Sequence, residues 1–430
     1  MADINFWKPI YQAFKHEKPL ISYQDLNDFY VRREDSPVER LVNFLAMEDR
    51  AAKFLLSGHR GSGKTTELRR LEQQCLADYT VVWVDTDTAL DKFNIGYAEI
   101  PVLIGISIVQ KLEEIGWQLP QILRRELLAS LASITYQEKN SGEGKLELPQ
   151  LFKDIGVLLK VGFQRETSRI IEVSPTLSEI VDRVNAIIQA AEADKSKLLV
   201  IVDGLDLKDF KIAADMFSKS LLTDLTCHIV YTIPISLYYS SALRSPMEIF
   251  DQCLDLANIA IFKCDEQKRP TQEADPVGRH ILMEVIRKRL ARLGMSPQDL
   301  FESGALDFLC EQSGGVMREV VRLVRATCGM ASLKKVKRID QAIVQEAVQE
   351  VRKTYTIEDY YFSVLAQIHQ TGELTSEKFD SPRLGKEVAI CDELLLYKLI
   401  LGYEDPRLGR WYDINPILLA DLQRWQQLQS

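Results

Sequence analysis

One stretch of this 430-residue chain holds side chains whose types and spacing suit them for chemistry together: Gly58-His59-Arg60-Gly61-Ser62-Gly63-Lys64-Thr65, followed by Thr66. It fits G-x-x-x-x-G-K-[ST] at every required position. The glycines let the backbone turn tightly and aim successive N–H groups at phosphate oxygens. In such a loop the lysine, here Lys64, sits on the outer phosphates, and the Thr65 hydroxyl ligates Mg²⁺. A helix starting near Lys64 adds its positive dipole end to the same place. A glycine-rich turn beside a lysine also arises by chance, but the flanks argue against that here. Residues 52–57 read as a buried strand, and residues 65–77 as a helix with Leu68, Leu71 and Leu76 on roughly one side. The expected ligands are ATP or ADP with Mg²⁺.

A second stretch gives the loop a partner. Leu198-Leu-Val-Ile-Val-Asp203 is a continuous apolar strand ending in an aspartate, the form of a Walker B element. Asp203 is then expected to hold the magnesium shell through water. Any acid after an apolar strand mimics this, and it is the phosphate loop upstream that makes the pair informative. Residues 80–85 read as another buried strand, ending in the acidic cluster Asp85, Asp87 and Asp91, whose members are loop caps or face magnesium or a partner. Residues 227–232 give a further strand, and residues 257–263 read as the last strand of the core.

The elements around these strands are mostly helical. Residues 1–50 carry an early aromatic cluster (Phe6, Trp7, Tyr11, Phe14) and a helix over 36–47, with Pro37 suited to its first turn. Two helical patterns flank Pro120 across 98–134, and a long helix follows from about 174 to 192. The segment near 135–173 is expected to be an insertion and supports no assignment of strand or helix. Helices are expected over 276–293, 296–312, 315–331 and 340–353, with Gly294 and Gly314 as breaks. In the tail, a helix over 357–371 and a helical pattern at 394–401 precede a turn-rich 402–410. Helices followed by a hairpin suggest a winged-helix module. The expected division is an α/β core over 1–270, a helical lid over 271–353 and the winged-helix-like tail over 354–430.

Composition bounds the setting. The chain is 46% hydrophobic and 27% charged, with a net charge of −9, which argues against general nucleic-acid affinity. The longest apolar run, 100–109, contains Pro101 and falls short of a membrane span, and the first residues lack the pattern of a signal peptide. A cytoplasmic protein without membrane attachment is expected. Seven scattered cysteines without a C-x-x-C pair read as reduced thiols, and the five histidines show no metal-ligand spacing. In the tail, twelve acidic residues outnumber seven basic ones, the wrong balance for a phosphate-binding surface. The case for DNA rests instead on Arg287-Lys288-Arg289 with Arg292 and on Lys334-Lys-Val-Lys-Arg338, which solvated helix ends explain at least as well.

Across about 25–353, the phosphate loop and the strand ending at Asp203 resemble P-loop ATPases of the AAA+/STAND group, nearest the origin-recognition-like branch with a C-terminal winged helix. That resemblance implies a parallel sheet flanked by helices, ATP held between core and lid, and nucleotide-dependent homo-oligomerisation. It makes Tyr30, Val31 and Arg32 candidate neighbours of the base, beside the plainer reading of a helix cap. Many AAA+ enzymes place glutamate directly after the Walker B aspartate, whereas here Gly204 follows. The run Asp203-Gly-Leu-Asp206 is similar to the D-G-L-D form of STAND ATPases, which makes Asp206 the candidate for orienting water, with a loop cap as its alternative. Thr232 matches the sensor 1 position. Ser313-Gly-Gly-Val-Met-Arg318 resembles the start of the lid helix that carries sensor 2, and Arg318 lies in a first turn where a cation opposes the helix dipole. Arg244 is a candidate for an arginine donated to a neighbouring subunit. Three functions stay open: a slowly hydrolysing switch in signalling or defence that binds a protein partner or effector, a DNA-associated loader or regulator, and a nucleotide-binding scaffold with little hydrolysis.

Overall fold

The computed structural model describes residues 2–15, 19–34, 36–86, 99–118, 120–123, 126, 177–194, 197–207, 210–217, 222–239, 248–375, 378–381 and 385–429. The insertion expected near 135–173, and with it Asp87, Asp91 and Arg244, lies outside them. The chain forms two compact units, one of Val38–Ser57 and Leu71–Leu254, the other of Met1–Pro37, Gly58–Arg70 and Asp255–Ser430.

In chain order the elements are α1 (Ala2–Ala13), α2 (Tyr23–Phe29), α3 (Val38–Met47), β1 (Lys53–Gly58), α4 (Lys64–Cys75), β2 (Tyr79–Asp85), α5 (Glu99–Glu114), α6 (Leu177–Asp194), β3 (Lys197–Asp203), α7 (Phe210–Phe217), β4 (His228–Thr232), α8 (Ile235–Tyr239) and β5 (Gln252–Leu256). There follow β6 (Phe262–Cys264), β7 (Pro270–Ala274), α9 (Pro276–Ala291), α10 (Pro297–Leu300), α11 (Ala305–Gln312), α12 (Met317–Leu333) and α13 (Gln341–Arg352). The tail holds α14 (Phe362–Thr371), β8 (Lys378–Ser381), β9 (Gly385–Ala389), α15 (Ile390–Leu396), β10 (Ile400–Asp405), β11 (Gly409–Ile414) and α16 (Leu419–Gln429).

The first unit is built on a five-stranded sheet of order β2-β3-β4-β1-β5. The registered pairs β2–β3, β3–β4 and β1–β4 are parallel. Every residue of β3 except Lys197 is buried, as a strand covered on both faces requires, so its sequence is continuously apolar. Helices α5 and α6 put Ile104, Ile108, Val184 and Ile188 into the same core as Val82, Val200 and Ile229. The register pairs Asp85 with Asp203 and Leu56 with Thr232, so the functional candidates stand level at the carboxyl ends of their strands. That end of an open parallel sheet is where ligands bind.

In the second unit α1 packs on α12, with Trp7 Nε1 donating to Val336 O at 2.9 Å and Arg325 stacked over the Tyr11 ring. Helix α9 starts at Pro276 behind Asp275, whose carboxylate accepts from Val277 N and Gly278 N, a capped start of the expected kind. The tail supplies α14, α15 and the antiparallel pair β10–β11, a winged-helix-like set of elements, with Phe362 of α14 stacked on Trp425 of α16.

Four expectations need correction. The fifth core strand is β5, not residues 257–263. Those residues are apolar and mostly buried, but Asn258 N and Ile259 N donate to Gly402 O and Gly315 O, and Phe262–Cys264 pairs with Pro270–Ala274 instead. The helix expected over 296–312 is two helices: the Ser296–Asp299 capping box starts the first, which ends at Leu300, and Gly304, at φ +82°, caps the start of the second. The pattern at 394–401 ends as helix at Leu396 and, after Lys398 at φ +57°, continues as strand β10. Leu76 lies beyond the end of α4 and is 50% exposed, while Leu68 and Leu71 are fully buried.

Candidate nucleotide site

The phosphate loop runs from the end of β1 into α4. Gly58, Gly61 and Gly63 all have positive φ (144°, 96° and 110°). The buried Lys64 side chain folds back across the loop, with Nζ donating to Gly58 O at 2.7 Å and His59 O at 3.2 Å. His59 O also accepts from Ser62 N at 3.0 Å. Gly61 O accepts from Arg318 N at 3.1 Å, and Ser62 O from Arg33 Nη1 at 3.2 Å. The carbonyls of Gly58, His59, Gly61 and Ser62 are thereby engaged by donors, which fixes the loop's curvature. The N–H groups at the start of α4 have no intrahelical acceptor by helix geometry, and they converge with the helix dipole on one place. A loop whose carbonyls are occupied and whose amides converge is a receptor for anionic oxygens.

Arg33 is the residue that sequence reasoning missed. It is 2% exposed, and its guanidinium bridges Ser62 O and Ala257 O, the second at 2.5 Å. The only signal in the sequence was a pair of arginines, Arg32 and Arg33, of which one turns inward. Beside it, the lead-in grips α4. Tyr30 OH donates to Glu67 Oε1 at 3.1 Å and accepts from Arg70 Nη1 at 3.0 Å, and Ser36 Oγ donates to Glu67 Oε2 at 2.6 Å. Burial first, then the Glu67 charge, pushes the Tyr30 phenol well above its ordinary range, so it stays a neutral donor. Of the three candidate base neighbours, Tyr30 is therefore anchored on α4, Val31 is half-buried and Arg32 is exposed. Lys288 Nζ of α9 donates to Tyr30 O at 2.6 Å and fixes the same segment from the other side.

Arg318 opens α12, and its backbone and Cβ lie against the loop at Gly61. An ideal Cβ on Gly61 would lie 2.8 Å from Arg318 Cβ, so the backbone approach needs glycine. The turn that delivers α12 needs one too: a Cβ on Gly315 would lie 1.7 Å from Ile259 O. Arg60 is exposed at the loop, while Ser62 is buried and Thr65 and Thr66 are half-buried in the first turn of α4.

The remaining candidates belong to the sheet unit. Asp203 ends β3, 9% exposed, with Oδ1 accepting from Gly204 N at 3.0 Å and its backbone carbonyl accepting from Thr86 Oγ1 at 2.9 Å. Gly204 takes φ +96° and turns the chain into the 3-10 turn Leu205–Leu207, which carries the partly exposed Asp206. Thr232 is fully buried at the end of β4, and its hydroxyl lies 3.4 Å from Val202 O. Among the described residues no group of three or more His, Cys, Asp or Glu side chains is placed to hold a metal ion. A phosphate-bound Mg²⁺ does not need one, because it keeps several waters and takes one or two protein ligands beside the phosphates.

Burial first, then the charges of Lys64, Lys398 and Arg410, pushes the His59 imidazole down to about 3, so it is neutral at physiological pH. These cations, with Arg33 and Arg318, suit an anionic ligand.

Sheet order, phosphate loop and the strand ending at Asp203 define an α/β P-loop fold, followed by helices and a winged-helix-like tail. No family model and no curated protein matches the chain. Among solved structures it is similar to Aeropyrum pernix ORC2 in its ADPNP–ADP complexes, at 14% identity over 97% of this chain and 98% of that one, with a TM-score of 0.46. CDC6P from Pyrobaculum aerophilum matches at 10% identity over 97% and 98%, TM-score 0.42. The Thermotoga maritima RuvB Holliday junction branch migration motor matches at 14% identity over 96% and 99%, TM-score 0.39. At such identities and scores the likeness is loose, and neither function nor partner transfers with it.

Proposed function

We propose that this chain binds ATP with Mg²⁺, hydrolyses it slowly, and uses the nucleotide state as a switch for self-association and for engaging a protein partner, in signalling or defence. The observation that carries the reading is the phosphate loop, whose carbonyls are held by Lys64, Arg33 and Arg318 while the amides at the start of α4 converge. Lys64 stabilises the outer phosphates, Thr65 and Asp203 hold Mg²⁺, directly and through water, and Mg²⁺ when bound draws charge from the phosphate oxygens. Asp206 orients the attacking water, in the place that Gly204 leaves without a carboxylate. Thr232 and Arg318 respond to the terminal phosphate. A loop so fully braced is preorganised, which favours affinity.

The test is nucleotide affinity and turnover of the wild type, Lys64→Ala and Asp206→Asn, with size measured in ATP, ADP and neither. Lys64→Ala should lose a charge-assisted contact and bind at least tenfold more weakly. Asp206→Asn should keep its affinity and lose most turnover. A wild type that binds no nucleotide would end this reading, full turnover in Asp206→Asn would remove that residue's role, and a permanent monomer with nucleotide and candidate partners would remove the switch.

A further inference from the structure

An antiparallel strand pair leaves one edge of each strand with outward N–H and C=O groups, and an uncovered edge recruits another strand. In β10 the outward residue opposite Tyr412 is Gly402, and both of its backbone groups are taken. Its N–H donates to His59 Nε2 at 3.1 Å, and its C=O accepts from Asn258 N at 3.0 Å and Asn258 Nδ2 at 3.1 Å. His59 belongs to the phosphate loop, so the C-terminal hairpin is hydrogen-bonded to the loop through a side chain.

Further contacts hold the hairpin there. Tyr403 OH donates to Gly314 O at 3.0 Å, just ahead of α12, and Arg410 pairs with the buried carboxylate of Asp255. Lys398 Nζ lies 2.6 Å from Glu319 of α12, which Arg322 also contacts at 3.2 Å. Burial alone would raise the Glu319 carboxyl, but these two cations hold it below its ordinary range. Leu401, Tyr403 and Trp411 share a buried apolar cluster with Val316.

His59 itself calls for explanation. Because Nε2 accepts, the ring proton sits on Nδ1, which is fully buried and has no hydrogen-bond partner among the described residues. An unmatched buried donor is destabilising. Its position is an unconstrained one in the loop pattern, so the motif itself does not require an imidazole there.

We propose that the C-terminal hairpin is a working part of the nucleotide site: held on His59, it keeps the phosphate loop in its receptive form, and nucleotide occupancy and hairpin docking reinforce each other. This rests on the nucleotide-binding reading above. His59 is a positioning residue, and Gly402 and Asn258 complete the link. Coupling between binding events is reciprocal. A partner that takes the edge of β10 therefore expels nucleotide by the same factor with which nucleotide expels the partner.

The full-length chain tests this with ADP·Mg²⁺ as probe, by affinity titration and by amide exchange over residues 400–414. In the wild type, ADP should slow exchange at Gly402 several-fold. His59→Ala should weaken ADP binding several-fold to about tenfold, the range of one buried hydrogen bond, and its hairpin should no longer respond at saturating ADP. His59→Gln, which keeps an acceptor of similar reach, should restore both. Asn258→Ala loosens the hairpin from outside the loop, so the link is still tested if His59→Ala does not fold, and it should weaken ADP several-fold. A wild type that binds ADP with no change at the hairpin, or His59→Ala and Asn258→Ala variants that bind as tightly as wild type, would overturn the coupling alone. Failure of the wild type to bind ADP would overturn the nucleotide reading and the coupling together.

Discussion

Arg33 shows how much of the phosphate loop depends on one side chain outside it. Its guanidinium is buried and satisfies Ser62 O and Ala257 O together, a span that suits a planar fork and not a point charge. Arg33→Ala would leave both carbonyls short of a charged donor in a buried setting, a loss of about 2–4 kcal/mol. Arg33→Lys should recover less than half of it. Denaturant unfolding of the three proteins reads the loss directly, and nucleotide affinity should fall in the same order. Equal stability of all three would show that the bridge is not a brace. At this scale the sequence was legible only where a pattern existed: the G-x-x-x-x-G-K-[ST] spacing identified Gly58, Lys64 and Thr65 at once. Arg33 and His59 act through contacts with residues far along the chain, Ala257 and Gly402, and no local spacing encodes such a meeting.

Among the elements, α12 approaches the loop more closely than a helix with side chains on both partners permits. Gly61 has φ +96°, and a Cβ there would come within 2.8 Å of Arg318 Cβ. Gly61→Ala should therefore lose about 1–2 kcal/mol from backbone strain, with a further loss as α12 is pushed back. The variant should unfold at lower denaturant and bind nucleotide more weakly than wild type, and unchanged values for both would contradict the tight approach. Long periodic elements such as α6, α9 and α12 were readable from sequence, as were the apolar strands β1, β2, β3 and β4. Residues 257–263 misled because burial alone makes a run apolar. Their backbone bonds go to Gly315 and Gly402 rather than to the sheet, and hydrophobicity does not distinguish the two. The division at Leu396, between α15 and β10, was hidden by the two closely spaced apolar runs Leu394–Leu396 and Leu399–Leu401, which suit a buried helix and a buried strand equally.

At the scale of the whole molecule, six of the eight cations in the two basic clusters are engaged within the chain. Of the cluster on α9, Arg287 chelates Glu284 at 2.7 and 2.8 Å, and Lys288 holds Tyr30 O. Arg289 lies over the Phe29 ring, with burial lowering its guanidinium to about 10, and Arg292 covers the same ring and pairs with Asp28 at 3.4 Å. In the other cluster Lys334 pairs with Glu346 at 2.6 Å and Arg338 donates to Gln298 O and Phe301 O. The wing strand β10, which in a DNA reader would have to be accessible, has its outer edge on the phosphate loop. Phosphate-backbone binding requires several cations free to replace counterions, and its affinity then falls steeply with salt. We therefore expect duplex DNA to bind no more tightly than about 10⁻⁴ M at roughly 50 mM salt, at or below the weak end of non-specific binding, with or without ATP. Fluorescence anisotropy with labelled duplex across a salt series measures this. ATP-stimulated binding with a steep salt slope would restore the DNA-associated reading, and it would require these side chains to exchange their present partners for phosphates.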